Sequence, residues 1–447
     1  MEEWLQAGRG LAGPGVELEV FAEEKRGLTV KAYGGELESL RYSRSRGVGV
    51  RALREGRLGY AYSSGLERED GRRAVEEAVA NSRFSEPDEH NLLPEPTEYP
   101  AGELGIYHPE AEETGSESKV EMALRLEELA LERDERIARV ETAVFADAVS
   151  TVAVANTRGV SGCYRSSHCS CYVFPIAGKG EEAQTGFSFD VGVKPSDLDL
   201  ARVAEEASDM ALSLLGSRSI SSRRTTLVLD SFVAAEFLAM LAAALSAEAV
   251  LKGRSFLAGR LGETIASPLV TLVDDGTLPG LPSTSPFDDE GVPARRKELI
   301  REGVLQGYLH NTYTASRAGV ASTGNASRPS FRERPRVGAS NLLLEPRQGK
   351  RDDIIGQVED GVLVLQVVGA HAGANPVSGE ISLGALGLRI EKGELRQPLR
   401  EITLAGKALD FLRDTVAVGE DLRIVPFEGS LGAPTVAVEN VMVAGRG

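Results

Sequence analysis

Residues 232–250 read FVAAEFLAMLAAALSAEAV, and this run constrains the fold more than any other. Its spacing is helical, but its apolar residues lie on nearly every side instead of along one stripe. Such a helix must be buried on several sides or sit in a subunit interface. It cannot cross a bilayer as an uninterrupted apolar span of about 18 residues, because Glu236 and Glu248 break it. Other elements must therefore cover it, and its surroundings in the sequence read mostly as strands.

Upstream, Val16, Leu18, Val20 and Ala22 alternate with Glu17, Glu19 and Phe21. Leu28–Tyr33 and Leu37–Tyr42 repeat that period on either side of Gly34-Gly35, a hairpin turn. Gly47–Arg51 and Gly59–Ser63 form a further pair around Glu55-Gly56-Arg57. The opening is thus expected to be an antiparallel meander of about five strands. Helices are expected over Arg73–Ser82, Ser118–Arg133 and Asp199–Leu215, the last ended by Gly216. Strands are expected at Ile137–Asp147, Val149–Asn156, Gly162–Pro175 and Gly186–Val193. Residues 84–117 carry Pro87, Pro94, Pro96, Pro100 and Pro109 and predict an irregular covering segment.

The polar run Ser217–Arg224 marks a boundary, and a chain of 447 residues exceeds what one core organises. The expected architecture is α+β in two domains. Residues 1–220 hold an N-terminal antiparallel sheet with helices, and residues 221–447 hold a strand-rich domain around the buried Ala-rich helix. Strands in the second half are expected at Thr225–Leu229, Leu269–Val273, Leu305–Thr312, Gly361–Val368, Gly379–Leu383, Leu388–Glu391, Arg400–Leu404, Leu422–Val425 and Thr435–Val443. A short helix is expected at Ala408–Thr415.

The net charge of −17 argues against nucleic acid as a partner, since phosphate neutralisation needs a basic face. The arginines between Arg44 and Arg57 alternate with Val and Gly at strand spacing. Three cysteines, Cys163, Cys169 and Cys171, suit a reducing compartment better than a disulfide scaffold. The opening MEEWLQAGRG lacks the pattern of a signal peptide, and the expectation is a cytoplasmic protein with no membrane span.

Several motifs invite chemistry. Gly8-Arg9-Gly10-Leu11-Ala12-Gly13 has the spacing of a dinucleotide loop but lacks the strand before it and the helix after it. Cys163, His168, Cys169 and Cys171 could be metal ligands, yet along a strand the cysteines share one face and His168 takes the other. Asp274-Asp275-Gly276 and Asp288-Asp289-Glu290-Gly291 could hold a cation or share a proton, and equally spell turns. His310 could be an acid/base group or a structural histidine. His371 and Thr323-Gly324-Asn325 lie in glycine-flexed loops that let backbone approach a ligand. There is no G-x-S-x-G nucleophile elbow and no H-E-x-x-H.

The stretch 274–328 also carries Asp289-Glu290-Gly291, Leu299-Ile300 with Gly303-Val304-Leu305, Ala315 with Gly319, and Thr323-Gly324-Asn325. Gly47-Val48-Gly49-Val50-Arg51 precedes these, and Pro376, Ser378-Gly379-Glu380, Ile402–Gly406 and Val441–Gly445 follow. In this order they resemble the TldD/TldE (PmbA) family along nearly the whole chain. The resemblance implies a two-subunit cytosolic metallopeptidase that degrades or trims peptides, modified-peptide precursors among them. Its TldD-type member carries zinc on a helical H-E-x-x-x-H with a cysteine ligand near the C-terminus. Here the corresponding helix has alanine, methionine and leucine where histidines are needed, and Gly429-Ser430-Leu431-Gly432 stands where a glycine-flanked cysteine is expected. Those side chains cannot supply the ligands that zinc needs.

The expectation is a TldE/PmbA-type subunit with no metal or catalytic residues of its own. It would pair with a TldD-like subunit holding the zinc, or form a homodimer that binds peptide without hydrolysis. Candidate substrate-binding residues are Glu290, His310, Thr312, Arg317, Thr323, Asn325 and His371. A hydrolase built on Cys163/His168 or on Asp288–Glu290 is the remaining rival.

Overall fold

The alternation that begins at Val16 does not break where polar residues interrupt it. The computed structural model, which describes residues 15–100, 102–369, 373–426 and 429–445, has one long strand there, β1 (Val16–Tyr33). It turns through Gly34-Gly35, both at positive φ (65° and 77°), into β2 (Glu36–Arg54), and β3 (Arg57–Ser63) follows. The expected meander of about five strands is thus three. Gly27 and Gly47 lie inside continuous ladders, where an extended backbone needs no turn.

Likewise β4 (Ile137–Asn156) fuses two expected strands and pairs with β5 (Ser161–Ala177). With β6 (Gln184–Thr185) and β7 (Ser188–Gly192) they make an antiparallel seven-stranded sheet, ordered β3-β2-β1-β4-β5-β6, with β7 also on β5.

One face of this sheet is covered by helices. The first, α1 (Arg68–Ser82), starts earlier than the expected Arg73. Glu67 and Asp70 form a capping box that supplies the acceptors its first N–H groups need. Its Ala74, Val75 and Ala78 pack on Leu18, Val20 and Val50. Gly59 permits this approach, since a Cβ there would lie 1.9 Å from the Ala78 carbonyl oxygen. Residues 84–100 and 102–107 are irregular, as the prolines require, and a short α2 (Glu110–Glu113) follows. Then α3 (Ser116–Glu132) and α4 (Leu200–Ser213) cover Leu28, Val30, Phe145, Cys169 and Cys171.

In the second half, β8 (Arg223–Leu229) leads into α5 (Ser231–Leu245), capped by Asp230. The expected single helix breaks at Ser246, which bridges to Leu309, and resumes as α6 (Ala247–Leu251). The strands form two larger sheets. One runs β11 (Val304–Leu305), β10 (Arg296–Arg301), β9 (Leu272–Asp275), β14 (Asn341–Leu344), β20 (Ser430–Ala433), β19 (Arg423–Val425).

The other runs β17 (Glu394–Lys407), β16 (Glu380–Glu391), β15 (Asp360–Val368), β8, β21 (Val436–Ala444), β18 (Thr415–Val418). Because β21 also pairs with β17, this sheet closes on itself and leaves fewer edges. The largest core cluster joins Leu238, Leu241 and Leu245 of α5 to residues of both sheets. The all-round apolar helix is therefore buried by its own chain. The fold is α+β, with an antiparallel N-terminal sheet backed by helices and a strand-rich C-terminal part.

The strand expected over Leu305–Thr312 is not formed. β11 ends at Leu305, and Thr312 begins a helix, α7 (Thr312–Ala318). Asn311 caps it, its side chain accepting from the Thr314 N–H at 2.9 Å while the Thr314 hydroxyl accepts from the Asn311 N–H. That reciprocal box outweighs the strand propensity of the preceding residues. A small ribbon, β12 (Ala326–Ser327) with β13 (Arg336–Val337), and α8 (Arg351–Gly356) and α9 (Ala408–Arg413) complete the description.

Candidate functional site

The N-terminal sheet and the C-terminal part meet through charged side chains that are almost wholly buried. Glu19 on β1 and Arg51 on β2 are directly opposite in register. The Arg51 guanidinium donates to both Glu19 oxygens, at 2.8 Å from Nε to Oε1, and from Nη1 to Glu290 Oε1 at 2.7 Å. Arg328 Nη2 also meets Glu19 Oε1, and its guanidinium lies over the Phe21 ring at 4.8 Å. The side chains of Glu19, Arg328 and Glu290 are at most 1% exposed and that of Arg51 is 7% exposed. Ions this deep persist only with full pairing.

The turn 288–291 holds that arrangement together. Asp288 accepts from the N–H groups of Glu290, Val292 and Ala326, each at 2.9 Å. Asp289 accepts from the Arg328 N–H at 2.6 Å. Burial, then the neighbouring Glu290 carboxylate, push Asp288 up to about 8, and burial pushes Asp289 up to about 6. Burial also works to raise Glu290, but the Arg51 guanidinium and the Thr312 contact outweigh it and hold it below the ordinary carboxylate range. This acidic cluster is thus a turn whose oxygens are spent on backbone amides and arginines.

Five of the sequence-predicted residues lie in one connected polar scaffold. Glu290 Oε2 accepts from the Thr312 N–H at 2.8 Å, which ties the turn to the start of α7. The His310 N–H donates to Thr323 Oγ1 at 2.7 Å, and the Thr323 hydroxyl lies 2.7 Å from Asn325 Oδ1. Asn325 Nδ2 donates to Asp274 Oδ2 at 2.8 Å, and Lys297 Nζ pairs with the same carboxylate at 2.7 Å. His310 Nδ1 and Thr312 Oγ1 are buried without a hydrogen-bond partner, and burial holds the imidazole below its ordinary pKa. Arg317 is apart from this group. It is exposed one turn along α7 from Tyr313, donating to the Tyr313 hydroxyl at 3.3 Å, which in turn donates to Asp88 at 2.9 Å. His371 and the glycine motif 8–13 lie outside the described residues.

A groove of about 1110 Å³ opens beside the scaffold. Its walls are the proline-rich segment at Ser85–Leu92, the ends of α6 and α7, and residues 332–336. Tyr60, Asp88, His90, Lys252 and Tyr313 face it, a mixed polar and aromatic lining. A second cavity of about 770 Å³ lies between the halves near Phe189, Arg202, Glu206, Asp230 and Arg423. There the arginines are already paired, Arg202 with Asp190 and Glu206, and Arg423 with Glu206. Sequence reasoning did not single out Arg51, Glu19 or Arg328 as site residues. Arg51 signals itself as a charge among the glycine and valine of a strand, whereas Glu19 looks like the solvent side of an alternating strand and Arg328, just past β12, carries no signal.

The helix α5 does not offer zinc a ligand set. Ala235, Leu238, Met240 and Leu241 are buried and apolar, and Ser430 on β20 is fully buried. Glu236 is its one carboxylate. Glu236 Oε2 is buried without a partner, and burial pushes the group up to about 7. The residues present do not fit a metal there, and no step is routed through one. On β5, Cys163 is exposed, while burial pushes Cys169 and Cys171 up to about 12, too high for useful thiolate. Cys163 and His168 point to opposite faces of β5 and are five positions apart, roughly 17 Å along a strand. They do not form a nucleophile–base pair. Among the described residues no helix is long and apolar enough to cross a membrane.

Comparison with known proteins places these features in a family. Family profiles match residues 18–82 (PmbA/TldA metallopeptidase domain 1), 109–215 (central domain) and 222–445 (C-terminal domain). Metalloprotease PmbA of Escherichia coli O157:H7 is 27% identical over 100% of this chain and 96% of its own length. A PmbA homologue of Haemophilus influenzae is 28% identical over 91% of this chain and 88% of its own. Two solved structures superpose with TM-scores of 0.90. TldE from Thermococcus kodakarensis is 26% identical and covers 100% of both chains. A Thermotoga maritima protein described as a candidate modulator of a DNA gyrase is 31% identical, over 99% of this chain and 100% of that one. Matched from its first strand to its last across all three domains, the chain belongs to the PmbA/TldD metallopeptidase family.

Proposed function

We propose that this chain is the PmbA/TldE-type, non-zinc subunit of a cytoplasmic metallopeptidase complex. It captures unfolded or modified peptide in extended form, helps to enclose the reaction chamber, and leaves hydrolysis to a zinc-bearing, TldD-like partner. One contrast carries this reading. The chain keeps the family's whole length and fold, yet the helix at the place of the metal motif presents Ala235, Leu238 and Met240 to a closed apolar core. Alanine and leucine have no lone pair to give and a methionine thioether is not among the ligands zinc takes in proteins, so cleavage must come from another chain.

The groove beside Tyr60, Asp88 and Tyr313 suits an extended peptide. Its walls are largely loops and short elements whose backbone groups recognise any sequence, and mixed charge imposes no strong preference for residue type.

The test measures zinc content and hydrolysis of an unfolded peptide, first with the purified chain, then after mixing with a TldD-like partner. Absence of zinc and of cleavage alone, with cleavage on mixing, is the expected result. Stoichiometric zinc or partner-independent cleavage overturns the assignment. Peptide binding without cleavage in any mixture leaves a stand-alone binding protein instead.

A further inference from the structure

The cavity of about 770 Å³ between the halves shares no lining residue with the groove beside Tyr60 and Tyr313. Its size falls within the roughly 300–1,000 Å³ of sites that enclose a small ligand, room for a short stretch of peptide. Part of its wall is apolar. Leu363 and Leu365 of β15 are buried there, while Leu395 of β17 and Leu422, next to β19, line it and remain 43% and 38% exposed. Single exposed leucines need no explanation, but two that share a cavity with a buried apolar base mark a place where a hydrocarbon group is covered on binding.

The rest of the wall is charged, and its pairing decides which sign it accepts. Arg202 of α4 pairs with Asp190 at 2.8 Å and with Glu206 at 3.0 Å. Arg423 pairs with Glu206 at 3.1 Å, and Arg351 with Asp230 at 2.9 Å. Every arginine of the cavity is thus spent on a carboxylate, and an anionic ligand finds no free cation. The carboxylates are in surplus. Asp421 is held by the Thr435 N–H and hydroxyl at 2.9 and 2.6 Å, with no ion-pair partner among the described residues. Asp209 shares Arg133, which lies outside the cavity lining, with Glu205. Five carboxylates therefore meet three arginines around the cavity, and its field favours a positive group. Phe187 and Phe189 add aromatic rings, and one of them already holds a cation, Arg423, at 4.7 Å.

We propose that this cavity is a selectivity subsite for captured peptide, taking a segment in which a large apolar residue stands next to a lysine or arginine. The assignment rests on the peptide-capture reading and narrows it: the groove recognises backbone, and the cavity selects side chains. The apolar side chain covers Leu395 and Leu422, and the basic one answers the surplus carboxylates. The two contributions come from different residues and are separable by substitution.

The experiment measures fluorescence anisotropy of labelled, unfolded peptides of equal length on the full chain. One peptide carries Phe-Lys pairs, one Phe-Glu pairs, and one only Ser and Gly. The Phe-Lys peptide is expected to bind about tenfold or more tighter than the Phe-Glu peptide, with the Ser-Gly peptide weakest. Its binding protects the amides of residues 187–191 and 421–424 from exchange. Leu395→Asn with Leu422→Asn weakens Phe-Lys binding by about tenfold and leaves Ser-Gly binding unchanged. Asp209→Arg narrows the preference for Lys over Glu by about threefold or more. Circular dichroism of both variants checks that these exposed substitutions leave the fold intact. Equal affinities for the three peptides, indifference to both variants, or protection confined to residues 85–92 overturns the subsite and leaves peptide capture standing. Binding of no peptide, with no cleavage after mixing with a TldD-like chain, overturns the capture reading and the subsite with it.

Discussion

Arg51 joins Glu19 of its own sheet to Glu290 of the other half, and removing it leaves the buried Glu290 without a counter-charge and Glu19 with Arg328 alone. Arg51→Ala is expected to cost about 3–5 kcal/mol in chemical denaturation, since breaking one partner of a buried pair leaves uncompensated charge. Glu236 makes a separate prediction through pH. A carboxyl whose pKa rises on folding binds its proton more tightly in the folded chain. Its contribution is thus greatest below about 4.5, falls as pH rises to about 7, and is flat above. Glu236→Gln removes that loss. The variant should gain on the wild type across this window and stay ahead by about 2 kcal/mol at pH 8, discounted for partial exposure. An unchanged difference between pH 4 and pH 8 in urea melts overturns the burial argument. Charge at Glu290 was legible in the sequence as something unusual in a turn. Its partner was not, because Arg51 lies far away in the chain and only folding brings the two within hydrogen-bond reach.

Elements formed where local period and tertiary cover agreed. β1 to β5 followed their alternation, and α5 followed its helical spacing, although polar interruptions such as Glu23–Gly27 looked like strand ends and were not. A strand can run through solvent between two buried stretches, which no local pattern reports. The region 305–312 failed the other way. Its residues favour a strand, but the Asn311–Thr314 box starts a helix at Thr312. Asn311→Ala should cost about 1 kcal/mol and loosen α7 at the groove, measurable as faster amide exchange over Thr312–Ala318. Close packing sets a different test at Gly59, where α1 crosses β3. Gly59→Ala drives a methyl into the Ala78 carbonyl and is expected to cost about 2–3 kcal/mol in thermal melts, with α1 displaced. Full stability in that variant would mean that the helix has room that the backbone distances deny.

Across the whole molecule, one apolar helix is wrapped by two sheets, a third sheet is backed by helices, and a paired set of buried charges joins the two halves. The groove beside Tyr60 and Tyr313 is a product of that assembly and not a motif: it draws on segments near residues 60, 88, 252, 313 and 332. By itself the sequence determined the α+β class, the strand and helix periods, the burial demanded by Phe232–Val250 and the lack of histidine on that helix. These depend on side-chain chemistry and on neighbours a few residues apart. Only the tertiary structure decided that Glu290 is a buried partner of Arg51, that His310, Thr323 and Asn325 brace a scaffold, and that Arg317 stands apart. Those outcomes depend on which distant side chains share a dry interior, where a charge must find its counter-charge or not be buried at all.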